Sequence, residues 1–504
     1  MKKYLYNSLS GILQKILTSV LIFCSIPVFI HKLGVEQYGL FSILSIVGNL
    51  NVFANFGLQT ALLVYLCRQG RSEQSNRDIV VSVLFTGLLS FSLSLLIWCV
   101  RDFFLSHILN ISTADYAQAT SLLQWLLMAN FFLLLGQVFV AILESMHHIV
   151  LTNSLQFVYN TIYWGGLILA VSLGSNFYWL GFTLFLSAFL WFLLIAGFAW
   201  KHWGRLSFEG GSTLLWQSLK KQLSYGSKVY VAGLVGMFFE PLSKILLSNF
   251  IGLQAVALFE IATKVRSNIN DLIVRAANPI NPLIAESEGG AGLHQKLIQL
   301  SGYIQVFVTQ LGVLLVFTLP FLVEIWLGNE RVPSVVLFTI VLTLNLILFS
   351  PPSLPVYLYL MNRNLSQKTI YVQLSSMVGN IVTFFLCYQV LAEKAILVSN
   401  FVGYLLSFLL CKYYQIQYMH SDVHQELRLY AKIFCMATVS IVVCGSIYLL
   451  LGPSWASLLL LPAVILVLSI LLTRVLRLVS SREISDFFAS MPRIEQVLLK
   501  LFVA

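Results

Sequence analysis

Charged side chains inside long apolar segments are the residues of this sequence best suited to do chemistry. A charge placed in such a segment is costly, so by default it marks a functional or a paired position. Two neighbouring segments hold most of these charges, and Lys15 lies in the first apolar segment of the chain. The charges in 223–248 are Lys228, Glu240 and Lys244, and those in 255–284 are Glu260, Lys264, Arg266, Asp271 and Arg275.

The spacing in segment 255–284 predicts a polar stripe along one helix. Its polar residues recur at intervals of three or four, which places them on one helical face. They are Glu260, Lys264, Asn268, Asp271, Arg275 and Asn278. In segment 38–66, Asn51, Asn55 and Gln59 follow the same four-residue spacing. We expect both stripes to face a shared cavity rather than lipid.

Two interpretations of these charges remain open. On the first interpretation, three acid-before-base pairs with the favoured i,i+4 orientation neutralise themselves along a wet interface; they are Glu240–Lys244, Glu260–Lys264 and Asp271–Arg275. The alternative is a cargo site with surplus cations, which suits an anionic group such as pyrophosphate or an acidic sugar. On that interpretation the substrate-binding residues are Lys15, Asn51, Asn55, Lys228, Glu240, Lys244, Glu260, Lys264, Arg266, Asn268, Asp271 and Arg275.

The composition requires a membrane around these segments. Of 504 residues, 58% are hydrophobic and 10% are charged, whereas soluble domains carry about 25% charged residues. We therefore predict an all-α integral membrane protein, with about 20 residues for each crossing. The apolar runs give about fourteen transmembrane helices, at 8–31, 38–66, 79–101, 117–145, 149–172, 178–200, 223–248, 255–284, 297–327, 333–361, 367–390, 394–418, 428–451 and 455–476.

Lys and Arg in the connections predict the orientation of the chain. Only Lys32, Arg101, Arg331 and Lys394 fall on the side opposite the N-terminus, and the other basic residues outside the spans fall on the N-terminal side. Because positive loops stay in the cytoplasm, we expect both termini there and a multi-pass protein of the bacterial cytoplasmic membrane. The net charge of +10 then reflects topology and attraction to anionic lipids, and it implies no nucleic-acid partner.

An internal repeat predicts two matching halves. The stretch FIHKLGVEQYGLFSIL at 29–44 aligns with NFIGLQAVALFEIA at 249–262 when shifted by 218 residues, so that Gly34 falls on Gly252. The same shift superimposes the starts of six predicted spans on six others, which indicates two parallel six-helix bundles with a substrate path between them. The predicted domains are a first bundle at 1–200, a cytoplasmic linker at 201–222, a second bundle at 223–426, and two additional helices with a tail at 427–504.

The turn HKLGVEQYGLFSIL at 31–44 and the segment NFGLQTALL at 55–63 resemble the polysaccharide flippases of the multidrug/oligosaccharidyl-lipid/polysaccharide (MOP) exporter superfamily. Those flippases carry a similar turn after the first helix and an Asp-x-Gly-Leu-like segment in the second helix. Asn55 stands where the family often has that acid. The resemblance implies alternating access of two bundles and a polyprenyl-pyrophosphate-linked oligosaccharide as the cargo.

Two other functions, a multidrug exporter and an enzyme, fit the sequence less well than a flippase. An ion-coupled multidrug exporter of the same superfamily typically relies on acids in its first and seventh helices; here the first helix has Lys15 and no acid, while Glu240 lies in the seventh beside Pro241. An enzyme is disfavoured because the sequence has no phosphate-binding G-x-x-x-x-G-K-[ST] motif and no H-E-x-x-H zinc motif. We expect no cofactor or metal, although H⁺ or Na⁺ remains open as a coupling ion. Membrane lipids, a polysaccharide polymerase and glycosyltransferases are the other expected partners.

Overall fold

The structure is a computed structural model that describes residues 2–47, 57–174, 176–204, 212–277, 291–328, 332–363, 365–419, 423–476 and 478. Every regular element in these ranges is a helix. The prediction of an all-α protein is therefore confirmed, and its apolar content agrees with a membrane protein.

The helices of the described ranges are numbered here in chain order. The first nine are α1 (Lys2–Leu33), α2 (Val35–Leu44), α3 (Leu58–Gln69), α4 (Glu73–Cys99), α5 (Tyr116–Ser145), α6 (Ile149–Ser172), α7 (Phe177–Trp203), α8 (Ser212–Phe250) and α9 (Leu253–Ala277). The remaining six are α10 (Ala291–Leu327), α11 (Val332–Asn362), α12 (Ser366–Leu391), α13 (Ala395–Met419), α14 (Val423–Leu451) and α15 (Trp455–Val475). A short helical turn and a π-helical turn, Phe104–Ile108, follow α4.

Each predicted span coincides with a helix, and the second coincides with two, α2 and α3. Within the described ranges, nine helical stretches are long and apolar enough to cross a membrane, and one of them, Gln367–Met419, runs through both α12 and α13. The count of fourteen crossings stays a prediction. The described parts of the predicted linker 201–222 are helical: α7 continues to Trp203, and α8 begins at Ser212, because polar residues end an apolar run without ending a helix.

The chain divides into two compact units, 1–260 and 261–504. In the first unit, α3 to α7 share a core that includes Leu66, Ile142, Trp191 and Trp203. In the second unit, α10, α14 and α15 pack through Val313, Cys444, Leu461 and Ile465. The first unit includes α8, which the sequence repeat groups with the second half. The predicted division into six-helix bundles stays a prediction.

The two turns related by the repeat have the same backbone feature. Gly34, between α1 and α2, has φ 87°, and Gly252, between α8 and α9, has φ 128°. Positive φ is accessible to glycine at little cost, and here it reverses the chain within one or two residues. The two glycines that the repeat aligns therefore both provide a positive φ in the connection between two helices.

Candidate functional site

The sequence-predicted charges of α8 and α9 meet at Lys244 in the first unit. Lys244 Nζ lies 2.5 Å from Glu260 Oε2 on α9 and 3.8 Å from Glu240 Oε1 one turn earlier on α8. The side chains of Lys244 and Glu260 are 4% and 6% exposed, whereas that of Glu240 is 37% exposed. The closer partner of Lys244 is therefore on the neighbouring helix, and the intrahelical pair with Glu240 is the looser one.

Burial makes this trio sensitive to change. Removing ions from water is expensive, and a buried ion pair repays that cost only through close geometry. Lys244 and Glu260 meet this requirement, since their charged atoms are in direct contact. The half-exposed Glu240 adds a second carboxylate, so the three side chains together bring two acids to one base.

The predicted stripe of α9 is only partly exposed in the structure. Lys264, Asn268 and Asp271 are half-buried along one side of the helix. The carbonyl of Lys264 accepts a hydrogen bond from Asn268 Nδ2 at 3.0 Å, and another from Ser267 Oγ at 3.0 Å. The amide of Asn268 is thus tied to its own helix and is less available to a cargo than the spacing suggested.

Arg266 occupies a different environment from the stripe. It is 7% exposed, and its Nη1 donates to the hydroxyl of Tyr404 on α13 at 3.3 Å, within the second unit. A guanidinium has five N–H donors, so this bond uses part of its capacity. Arg266 is a buried cation held by a neighbouring helix.

Lys15 is half-buried on α1 beside a polar contact between α1 and α6. Asn153 Nδ2 donates to Ser10 Oγ at 2.8 Å, and Asn160 Nδ2 donates to Thr18 Oγ1 at 2.9 Å. We call these four residues the α1–α6 seam. It fixes the rotation of α1 on both sides of Lys15.

Four of the predicted site residues have no side-chain description. Asn51 and Asn55 lie outside the described residues. Lys228 and Arg275 lie on α8 and α9, and only their backbone is described. Their assignment to a site stays a prediction.

Sequence reasoning missed the amides of α6 and the hydroxyl of Tyr404. Asn153 and Asn160 are two turns apart in an apolar segment, a signal of the same kind as the α9 stripe but without charge. Tyr404 gave no signal, because a tyrosine in an apolar helix is ordinary.

The sequence profile of a family described as "Polysaccharide biosynthesis protein" matches residues 1–288, more than half of the chain. The chain belongs to this family. The match includes α1 to α9 and thus the whole of the Lys244 trio. No curated protein matches the chain.

Solved structures give the fold independently. The lipid II flippase MurJ in an inward closed conformation is similar at 13% identity and a TM-score of 0.73, over 95% of this chain and 99% of that one. An inward-facing multidrug resistance transporter of the MATE family in the MOP superfamily has 14% identity and a TM-score of 0.64, over 81% and 98%. The Vibrio cholerae MATE transporter VcmN in its bent form has 12% identity and a TM-score of 0.54, over 82% and 94%.

Family and fold agree with each other. The resemblance to polysaccharide flippases of the MOP superfamily, drawn from the turn at 31–44, is confirmed by the family match and by these structural neighbours. The chain is a multi-pass membrane protein with the fold of flippases and transporters. The structural neighbours themselves are a lipid II flippase and multidrug transporters.

Proposed function

We propose that this protein is a flippase that moves a polyprenyl-pyrophosphate-linked oligosaccharide, the repeat unit of a surface polysaccharide or O-antigen, across the bacterial cytoplasmic membrane. The family match over residues 1–288 carries the proposal. The likeness in fold to a lipid II flippase supports a lipid-linked cargo. Transport proceeds by alternating access through a cationic cavity, with both termini in the cytoplasm.

The charges of the described residues support an anionic cargo. Lys244 lies against Glu260, and Lys15 and Arg266 are further cations in apolar helices, Arg266 with a hydrogen bond to the hydroxyl of Tyr404. Pyrophosphate oxygens suit ammonium and guanidinium donors. Lys15, Arg266 and Arg275 are therefore the residues that we expect to contribute most to cargo transfer.

The test measures the amount of surface polysaccharide in a host that lacks the protein and expresses the wild type or a variant at equal levels. Lys15→Ala, Arg266→Ala and Arg275→Ala should each reduce the polysaccharide. Lys32→Ala, which removes an exposed cation from the last turn of α1, should leave it normal. Normal polysaccharide in all three variants would contradict the cationic cavity. Arg266→Lys should restore function if charge alone is needed, and it should fail if two-pronged guanidinium geometry is needed.

The second candidate is an ion-coupled multidrug exporter. The TM-score of 0.64 to a MATE multidrug transporter favours it, as does the carboxylate of Glu240 beside Pro241 on α8. Drug susceptibility of a hypersensitive host separates the two functions. Resistance conferred by the wild-type protein and lost in Glu240→Gln would favour export of drugs, whereas unchanged susceptibility with restored polysaccharide favours the flippase.

A further inference from the structure

Tyr404 is bonded to Arg266 within the second unit, and the chemistry of the two groups fixes the direction of that hydrogen bond. Arg266 Nη1 and the hydroxyl oxygen of Tyr404 are 3.3 Å apart. A guanidinium can only donate, so the hydroxyl oxygen accepts and its own hydrogen can be donated to another group. Tyr404 therefore places an O–H donor directly beside the N–H donors of Arg266.

The surroundings of Arg266 strengthen that second donor. Ala262, Ile269 and Ile273 lie on the same face of α9 as Arg266, and all three are at most 5% exposed. Successive hydrogen bonds polarise one another, and they are electrostatically stronger in such apolar surroundings than in water. The hydroxyl of Tyr404, which accepts from a cation, is therefore well suited to donate to an acceptor that carries negative charge.

The packing of α13 positions the ring of Tyr404 without help from its hydroxyl. Phe349 on α11 contacts Phe401 and Phe408 at ring-centroid distances of 5.5 Å and 5.6 Å, one turn before and one turn after Tyr404. The helix α12 also packs against α13. Removal of the hydroxyl alone should therefore leave the ring and the helix in place.

Tyr404 is more accessible than other polar residues on its face of α13. Asn400, one turn earlier, is 0% exposed, and Cys411, two turns later, is 1% exposed, whereas Tyr404 is half-buried. The amide of Asn400 also donates to the carbonyl of Ile396 in its own helix at 3.0 Å. Tyr404 is thus the residue of this face that a ligand can reach most readily.

A charged donor next to a neutral donor matches the oxygen atoms of a phosphate group. The guanidinium fork binds oxyanions through parallel N–H bonds, and the hydroxyl adds one more bond without a second charge that must lose its water. A cationic ligand gains nothing from this pair, because both groups present hydrogen atoms with a partial positive charge. The pair of Arg266 and Tyr404 therefore selects for an anion.

We propose that the hydroxyl of Tyr404 binds the cargo, and that it donates a hydrogen bond to a phosphate oxygen of the polyprenyl pyrophosphate beside Arg266. The inference rests on the proposed function, because it requires a cargo with a phosphate group, and it names a further binding residue for that cargo. Arg266 has two roles in this arrangement, since it binds the phosphate itself and polarises the hydroxyl of Tyr404. One anion is then held by two helices of the second unit, α9 and α13.

Binding of farnesyl pyrophosphate, a short prenyl pyrophosphate, to the purified protein tests the proposal. Tyr404→Phe should raise the dissociation constant about tenfold or more, the loss expected for one hydrogen bond to a charged group. The affinity for farnesol, which has the same tail and no phosphate, should be the same in the variant and the wild type. Tyr418→Phe is the matched control, because Tyr418 is also half-buried on α13 and lies about 21 Å further along the helix. Equal affinity of Tyr404→Phe and wild type for farnesyl pyrophosphate would overturn the proposal.

A double-mutant cycle tests the link between Tyr404 and Arg266. Arg266→Lys should weaken the binding of farnesyl pyrophosphate, and Tyr404→Phe should cost less in that variant than in the wild type. Fold-changes that simply multiply would show that the two residues act independently, and the shared site would then be wrong. A lower unfolding midpoint of Tyr404→Phe with unchanged affinity would show that the hydroxyl only stabilises helix packing, which also contradicts the proposal.

Failure of this inference can be told apart from failure of the flippase proposal. If the wild-type protein does not bind farnesyl pyrophosphate, a phosphate-bearing cargo is contradicted, and the role of Tyr404 with it. If the wild type binds and Tyr404→Phe binds equally well, only the role of Tyr404 is contradicted. In a host that lacks the protein, Tyr404→Phe should reduce surface polysaccharide at equal expression, and Tyr418→Phe should leave it normal.

Discussion

At the scale of single residues, Lys244 shows how tertiary packing changes a sequence-based assignment. The sequence offered Glu240 as its partner, four positions earlier. In the structure, Lys244 Nζ lies 2.5 Å from Glu260 Oε2 on the next helix and 3.8 Å from Glu240 Oε1. Spacing along a helix predicts only neighbours in the same helix. It therefore could not predict that Glu260, which follows the turn at 251–252, contacts Lys244.

Changes at Lys244 and Glu260 should therefore be coupled. Lys244→Met leaves the buried Glu260 without its closest cation, which destabilises by about 3–5 kcal/mol where a buried pair is broken. Glu260→Gln should be milder, because Glu240 remains within 3.8 Å of Lys244. The measurement is the thermal unfolding midpoint in detergent. The double variant should be more stable than the two single effects predict; simple additivity would show that the pair is energetically independent.

Gly39 is the second residue whose role only the structure reveals. Gly39→Ala places a methyl group 2.1 Å from the Leu253 carbonyl oxygen, so the backbones must separate, at a cost of about 1–3 kcal/mol typical of overpacking. We expect a lower unfolding midpoint and reduced polysaccharide export. Gly165→Ala on α6 is the matched control, since nothing lies within 4 Å of its added Cβ. An equally stable Gly39→Ala variant would show that the close approach is unimportant.

At the scale of elements, apolar runs located the helices well but misjudged where helices stop. The predicted span 149–172 matches α6, and 117–145 matches α5 within one residue. The span 223–248 matches only part of α8, which begins at Ser212. Hydropathy reports where lipid contact ends, whereas a helix continues until its backbone bonds are capped. Gln222 falls in the predicted polar linker 201–222, and Asp78 directly precedes the predicted span 79–101, yet both side chains are buried.

The α1–α6 seam gives a prediction for an element contact. Asn160→Leu removes the amide that donates to Thr18, and interhelical hydrogen bonds in membranes contribute about 0.6 kcal/mol on average and about 1.7 at most. We expect a small drop in the unfolding midpoint and a larger loss of export, because the seam orients the face of α1 that carries Lys15. Thr161→Val, at an exposed position next to Asn160, is the control. If Asn160→Leu exports polysaccharide at the wild-type level, the α1–α6 seam is not needed for the function of Lys15.

At the scale of the whole molecule, the sequence predicted the fold class and family more securely than the site. Composition alone required a membrane protein, and the short motif at 31–44 was enough to indicate the family that the profile then matched. The site was harder, since a charged residue in an apolar helix signals importance without naming its partner. Arg266 and Lys264 are two residues apart, yet one is buried against Tyr404 and the other is half-buried.

The orientation of the whole chain is testable independently of transport. The bias of Lys and Arg predicts that both termini are cytoplasmic, which requires an even number of crossings. Green fluorescent protein fused after Ala504 should fluoresce, and alkaline phosphatase fused at the same point should be inactive. Alkaline phosphatase inserted after Gly452, in the connection between α14 and α15, should be active. An active phosphatase at the C-terminus would mean an odd number of crossings, and one of the fourteen predicted spans would then lie outside the membrane.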